Sequence, residues 1–89
     1  MDETKMVIES AIQGGDELVF VYEKEAGDET KMLTRFVRPI EIKTATTLAM
    51  ETTVLCLQIL PKLGFRRFKL RKIKSAYRVA TRQSFSVPQ

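Results

Sequence analysis

Apolar residues follow a helical spacing only near the start of the chain. Ile8, Ala11 and Ile12 recur at the i, i+3, i+4 positions of one helix face. The pair Gly14–Gly15 follows, and glycine takes up the left-handed conformation that ends many helices without a steric penalty. The pattern therefore predicts a helix over residues 4–13.

From residue 17 onward, short apolar or alternating runs are separated by turn-forming residues, which indicates β-strands. In the first run, Leu18, Phe20 and Tyr22 share one face. Pro39 marks an edge, a bulge or a strand start, because proline cannot donate a hydrogen bond to a sheet ladder. Strands are predicted over residues 17–24, 30–38, 40–50 (weakly), 52–60, 65–70 and 75–82, with a short helical turn over residues 71–74.

These elements predict a mainly β fold with one N-terminal helix (α+β), built as a small five-stranded barrel or a strongly bent antiparallel sheet. One domain is expected over residues 1–89, with a β-part over residues 17–82 and a frayed tail over residues 83–89. The lone Cys56 lies in an apolar run and is expected to be buried and chemically quiet. The expected core residues are Leu18, Phe20, Leu55, Leu57 and Phe68.

Charge is unevenly distributed along the chain. Residues 1–34 hold nine acidic and three basic residues, whereas residues 35–89 hold two acidic and twelve basic ones. The segment from Lys62 to Arg82 contains nine bases and no acid. Such asymmetry suggests a polyanionic partner. It also allows head-to-tail association of two copies into a homo-oligomer.

The residues of common catalytic and metal centres are missing. The chain has no histidine and one cysteine, which excludes zinc fingers, Ser-His-Asp triads and Cys-His dyads. It also lacks the glycine-rich phosphate-binding motifs. No metal, no cofactor and no enzymatic activity are therefore expected. A polar start without an apolar stretch predicts a cytoplasmic protein that does not enter a membrane.

The basic segment over residues 65–74 alternates bases with large apolar side chains. The apolar members can anchor the segment while the bases project, and the planar guanidinium of arginine can bind phosphate through two parallel hydrogen bonds. Two further interpretations stay open. The segment is either a solvated face that only favours solubility, or a surface that docks on an acidic protein.

The order of the elements resembles the WYL domain, a small Sm-like β-barrel usually attached to bacterial DNA-binding transcription regulators. Four segments carry the resemblance: Ile8–Gly15 (opening helix), Val19–Tyr22 (first strand), Arg35–Pro39 ("RxVxP") and Arg66–Ile73 ("RxFRLDRI"). Together they cover about residues 8–80. The chain departs from the family at the name-giving Trp-Tyr-Leu, of which only Leu55 matches.

The resemblance implies a binding module for nucleic acid or a nucleotide-like anion, acting as an accessory regulator of a bacterial or phage type. No helix-turn-helix precedes the resembling region. Binding should be salt-dependent, because phosphate contacts would dominate. The expected binding residues are Arg66, Arg67, Lys69, Arg71 and Lys72, joined by Arg35, Arg38 and Tyr22.

Arg66 has two alternative roles. It shares a strand face with Phe68 and Leu70, so it either finds a partner at the edge of the core or lines a concave pocket. Its resemblance to the ligand-facing arginine of the family favours the pocket. Three aromatic residues are candidates for stacking on bases, although a core position is the competing interpretation for each: Tyr22, Phe65 and Tyr77.

Overall fold

A computed structural model describes residues 3–46, 50–60 and 62–79 of the chain. It contains one helix, five strands and a short 3-10 turn. In chain order, the elements are α1 (Glu3–Gly14), β1 (Glu17–Ala26), β2 (Glu29–Thr44), β3 (Thr52–Leu60), β4 (Gly64–Lys69), the 3-10 turn (Leu70–Lys72) and β5 (Ile73–Val79).

Helix α1 packs its apolar face against the sheet and ends where the two glycines begin. Ile8 and Ala11 are fully buried in the core. Gly15 adopts a φ of 68°, and the next N–H, that of Asp16, donates to the Ala11 carbonyl at 2.9 Å. The predicted helix over residues 4–13 is confirmed, with one more residue at each end.

The five strands form one antiparallel sheet in the order β4-β3-β2-β1-β5. The predicted bounds of β3 are confirmed. The segment predicted at 30–38 and the first part of the one predicted at 40–50 are a single strand, β2, which ends at Thr44, so the predicted end at residue 50 was wrong. This strand continues past Pro39 because the register shifts between Pro39 and Glu41, and this irregularity accommodates the residue that cannot donate.

The sheet is strongly bent but does not close into a barrel, so the bent-sheet alternative is confirmed and the barrel was wrong. β1 and β4 are separated by two strands, which in a flat sheet would place them about 14 Å apart. Nevertheless, the Phe68 ring centroid of β4 lies 5.1 Å from that of Phe20 and 4.9 Å from that of Tyr22, both on β1. Among the described residues, β4 and β5 remain the two unpaired edges.

The concave side of the sheet, called here the inner face, carries the core. Leu18, Phe20 and Phe68 are fully buried, as predicted. Leu55 and Leu57 are only half-buried, so placing them in the core was wrong. Val54 and Cys56 are buried instead, because they pair across to Phe68 and Arg66 on the inner face and the period of a strand is two residues.

The end of the chain agrees with the predicted elements over the part that the structure describes. Strand β4 and the 3-10 turn lie within two residues of the predicted positions, and β5 begins at Ile73. Residues 80–82 of the predicted last strand and the predicted frayed tail lie outside the described residues. Within the described ranges, no helix is long and apolar enough to cross a membrane.

Candidate anion-binding site

Strand β4 divides the predicted binding residues between the two faces of the sheet. Arg66 lies on the inner face with Phe68, whereas Arg67 and Lys69 lie on the convex side, called here the outer face. Their partners in β3 differ accordingly, because Arg66 is opposite the buried Cys56 and Arg67 is opposite Leu55. Successive bases of the segment therefore occupy different environments.

Arg66 stacks on aromatic rings of the core. Its guanidinium carbon lies 5.0 Å from the Phe68 ring centroid and 5.8 Å from the Tyr22 ring centroid. Stacking of this kind fixes the plane of the guanidinium and leaves its N–H edges available to acceptors. Within the part of the chain that the structure describes, no carboxylate lies within salt-bridge distance of Arg66.

Tyr22 supports this arrangement from the core and is not an exposed stacking residue. Its side chain is buried, with 7% of the residue exposed. Its hydroxyl accepts a hydrogen bond from the backbone N–H of Lys69 at 3.0 Å, which connects β1 to β4 across the bend. We conclude that Tyr22 positions Arg66 and β4.

Arg35 is the second inner-face arginine. It pairs with Phe20 across β1 and β2, and it is half-buried. Its Nη1 donates to the Thr34 carbonyl at 3.3 Å, but its buried Nε has no hydrogen-bond acceptor among the described residues. A buried donor without an acceptor costs free energy, so an unpaired Nε marks a position where an acceptor would be stabilised.

Gln58 lies between these two arginines on the sheet. It is half-buried on the inner face, opposite Val37 of β2 and Gly64 of β4. Arg35 lies two residues before Val37 on β2, across a register shift, and Arg66 lies two residues after Gly64 on β4. Because β2 and β4 both run antiparallel to β3, the two arginines lie on opposite sides of Gln58 along the strand direction. Sequence reasoning missed Gln58, although a single amide within the apolar run of β3 was a usable signal.

Gly64 leaves open space beside Gln58. Its φ is +148°, and a Cβ added there would meet no atom within 4 Å. The space beside Gly64 is therefore open, and the two inner-face arginines, Arg35 and Arg66, have no carboxylate partners in the described residues. An anion with several acceptor oxygens matches these donors, since each guanidinium offers parallel N–H groups.

The other predicted bases have acidic partners within the chain. Arg38 donates to Glu17, with an Nε to Oε2 distance of 3.1 Å. Salt bridges also join Arg67 to Glu41 (3.4 Å), Arg71 to Glu51 (3.2 Å) and Lys72 to Glu25 (4.0 Å).

A further pair, Arg78 and Asp16, joins β5 to the end of α1 and had no counterpart in the sequence analysis. Four of the five acids in these pairs lie in or beside β1 and β2, and the sheet brings them to bases that are distant in sequence. Charge that is separated along the chain is therefore partly compensated in space.

The remaining residues predicted to bind or stack are Lys69, Phe65 and Tyr77. Lys69 is exposed on the outer face, and no carboxylate of the described residues lies within salt-bridge distance of it. Phe65 is 69% exposed and Tyr77 is 57% exposed, so neither occupies the core position that was the competing interpretation.

Cys56 lies beneath the site and is fully buried, as predicted. Burial raises the pKa of its thiol to about 12, because desolvation disfavours the thiolate. The thiol lies 3.8 Å from the Val54 carbonyl, a weak hydrogen bond within the same strand. Its chemical inertness remains a prediction.

No family model matches the chain, and no curated protein matches it. The resemblance to the WYL domain therefore stays a prediction from the sequence. What the fold defines is an α+β domain with a strongly bent five-stranded sheet.

Proposed function

We propose that the chain is a non-enzymatic binding module for a phosphate-bearing anion, either nucleotide-like or the end of a nucleic acid. The anion would bind on the inner face between Arg35 and Arg66. One observation carries the proposal: the two inner-face arginines have no carboxylate partner in the described residues, and one has a buried N–H without an acceptor.

The chemistry of the three polar side chains suits a phosphate group. Arg66, held by the Phe68 and Tyr22 rings, presents a fixed guanidinium edge. Arg35 supplies a second guanidinium, and Gln58 supplies an amide N–H between them. Hydrogen bonds to charged groups are stronger than neutral ones, and partial burial reduces their competition with water.

A regulatory role fits a module of this kind. A small anion that binds the concave side could change the exposure or geometry of the outer face. The sequence resemblance to domains attached to transcription regulators supports this role. The acidic-partner alternative is less favoured, because Arg67, Arg71 and Lys72 already contact carboxylates of the same chain.

The proposal can be tested by calorimetric titration with pyrophosphate and with adenosine mono-, di- and triphosphate. Replacing Arg66 by glutamine should weaken binding by roughly 10- to 100-fold, since a hydrogen bond to a charged group contributes about 1.5–3 kcal/mol. Arg71→Gln is the matched control, because it removes one positive charge from an exposed salt bridge. Its effect should be less than about threefold.

Equal losses in the two variants would show that only net charge matters and would contradict the site. The absence of binding to every phosphate compound at low salt would contradict the function itself. Binding to an acidic polypeptide under the same conditions would then favour the protein-docking alternative.

A further inference from the structure

The outer face of the sheet carries aromatic rings on three strands. Tyr77 of β5 and Phe36 of β2 both lie opposite Val19 of β1, so the three side chains form a line across the sheet. Phe65 of β4 lies opposite Leu57 of β3, one step further along the strands. Helix α1 packs on the inner face with the core and does not occupy this line.

The spacing of these rings follows from the strand order. Tyr77 and Phe36 are separated by β1, and Phe36 and Phe65 are separated by β3. Two strand spacings amount to roughly 10 Å in a flat sheet, and the offset of Phe65 along its strand and the convex curvature of this face add to the separation. Val19 and Leu57, which lie between them, are half-buried aliphatic residues. Rings at such intervals can accept non-adjacent bases of one extended strand.

Lysines flank the exposed rings at both edges of this face. Lys69 lies four residues along β4 from Phe65, and Lys74 lies on the outer face of β5 opposite Val21. Both are exposed, and the salt bridges among the described residues do not include them. Lysines on the same face as exposed aromatic rings, with no salt bridge to an acid of the described residues, are typical of surfaces that bind single-stranded nucleic acid.

We propose that the outer face binds single-stranded nucleic acid, with bases stacked on Phe65 and Tyr77 and phosphates near Lys69 and Lys74. This goes beyond the proposed function, because it adds a polymer-binding surface on the side of the sheet opposite the anion site. A duplex is disfavoured, since its bases are already stacked and present no free ring faces. The surface should tolerate many sequences, because every base has a stacking face.

The competing occupant is a protein, including a second copy of this chain. Leu60 and Leu63 are 57% and 74% exposed near Phe65, and an apolar patch of this kind also suits a protein interface. The lysines at both edges favour the nucleic acid.

Fluorescence anisotropy with labelled 12-nucleotide single strands tests the proposal. The oligonucleotides should carry a 5′-hydroxyl, so that they offer no terminal phosphate to the inner-face site. Phe65→Ala and Tyr77→Ala should each weaken binding by between about 5-fold and 100-fold. Tyr77→Phe should retain most of the affinity, because the ring remains. Met6→Ala removes an exposed apolar side chain, 54% accessible, from helix α1 and should have no effect.

Intrinsic fluorescence gives a second readout. The chain has two tyrosines and no tryptophan, and Tyr22 is buried whereas Tyr77 is exposed. Binding of the single strand should therefore quench tyrosine emission in the wild-type chain, and Tyr77→Phe should abolish most of the quenching while preserving affinity.

Three results would overturn this inference. The first is unchanged affinity in both alanine variants, and the second is equal affinity for a duplex of the same length. The third is that Phe65→Ala dissociates a dimer in sedimentation without changing oligonucleotide binding, which would assign the face to a second copy. The failure of this inference is separable from that of the proposed function. Arg66→Gln should impair nucleotide binding alone, whereas Phe65→Ala should impair oligonucleotide binding alone.

Discussion

Two neighbouring arginines on β4, Arg66 and Arg67, lie on opposite faces of the sheet and have different surroundings. Arg66 stacks on core rings and has no carboxylate partner in the described residues, whereas Arg67 makes a salt bridge of 3.4 Å with Glu41. The sequence places both in one basic run. The comparison teaches that the number of bases does not identify a binding site, because the fold supplies acids to some of them.

The largest expected effect is a difference in the free energy of unfolding between substitutions on the inner face and substitutions on the outer face. Phe68→Ala should lower the free energy of unfolding by about 3–5 kcal/mol, because it leaves a cavity among Phe20, Tyr22 and Arg66. Leu55→Ala should cost about 1 kcal/mol, since Leu55 is half-buried on the outer face. Urea denaturation followed by circular dichroism measures both. Equal losses would mean that the outer face is also core.

Two salt bridges should also differ in how much they contribute to the free energy of unfolding, according to the burial of the acid. Arg38→Ala leaves Glu17 without this partner, and the Glu17 side chain is only 6% exposed, so we expect a loss of about 1–3 kcal/mol. Arg67→Ala frees Glu41, whose side chain is 51% exposed, and should cost less than about 1 kcal/mol. Thermal unfolding at low and high salt checks the difference. A larger loss for Arg67→Ala would contradict the burial assigned to the two acids.

The ionisation of Cys56 should affect stability only at alkaline pH. Its pKa in the fold is about 12, above the ordinary value of 9.0. The unfolded chain therefore releases the thiol proton first, and the folded state loses stability as the pH rises from about 9 towards 12. Cys56→Ala should flatten this decline in urea titrations.

The same burial predicts slow labelling of the native thiol by a maleimide, at a rate limited by opening of the core. Rapid labelling at pH 7 would contradict it.

Local patterns in the sequence predicted the helix, the bounds of β3 and the inner-face set Leu18, Phe20 and Phe68. They could not show which residues of β3 point inward, because Val54, Leu55, Cys56 and Leu57 are all apolar and either alternate set could face the core. The structure places Val54 and Cys56 inward, where they meet β4.

The candidate site was less predictable than the fold. Arg66 was identified with its alternative roles, but the pairing of Arg38, Arg67, Arg71 and Lys72 with acids depends on contacts between residues that lie 20 to 47 positions apart. Register across three strands also decides that Gln58 lies between Arg35 and Arg66. Such long-range contacts are determined by the topology of the sheet, and the spacing of residues along the chain does not predict them.

The central claim is that Arg35 and Arg66 bind the same anion, and a double-mutant cycle tests it most directly. Affinity for pyrophosphate should be measured by calorimetry for the wild-type chain, Arg35→Gln, Arg66→Gln and the double variant. If both side chains contact one anion, the loss in the double variant should differ from the sum of the single losses by at least about 0.5 kcal/mol. Additive losses, or unchanged affinity in Arg66→Gln, would contradict a shared site on the inner face.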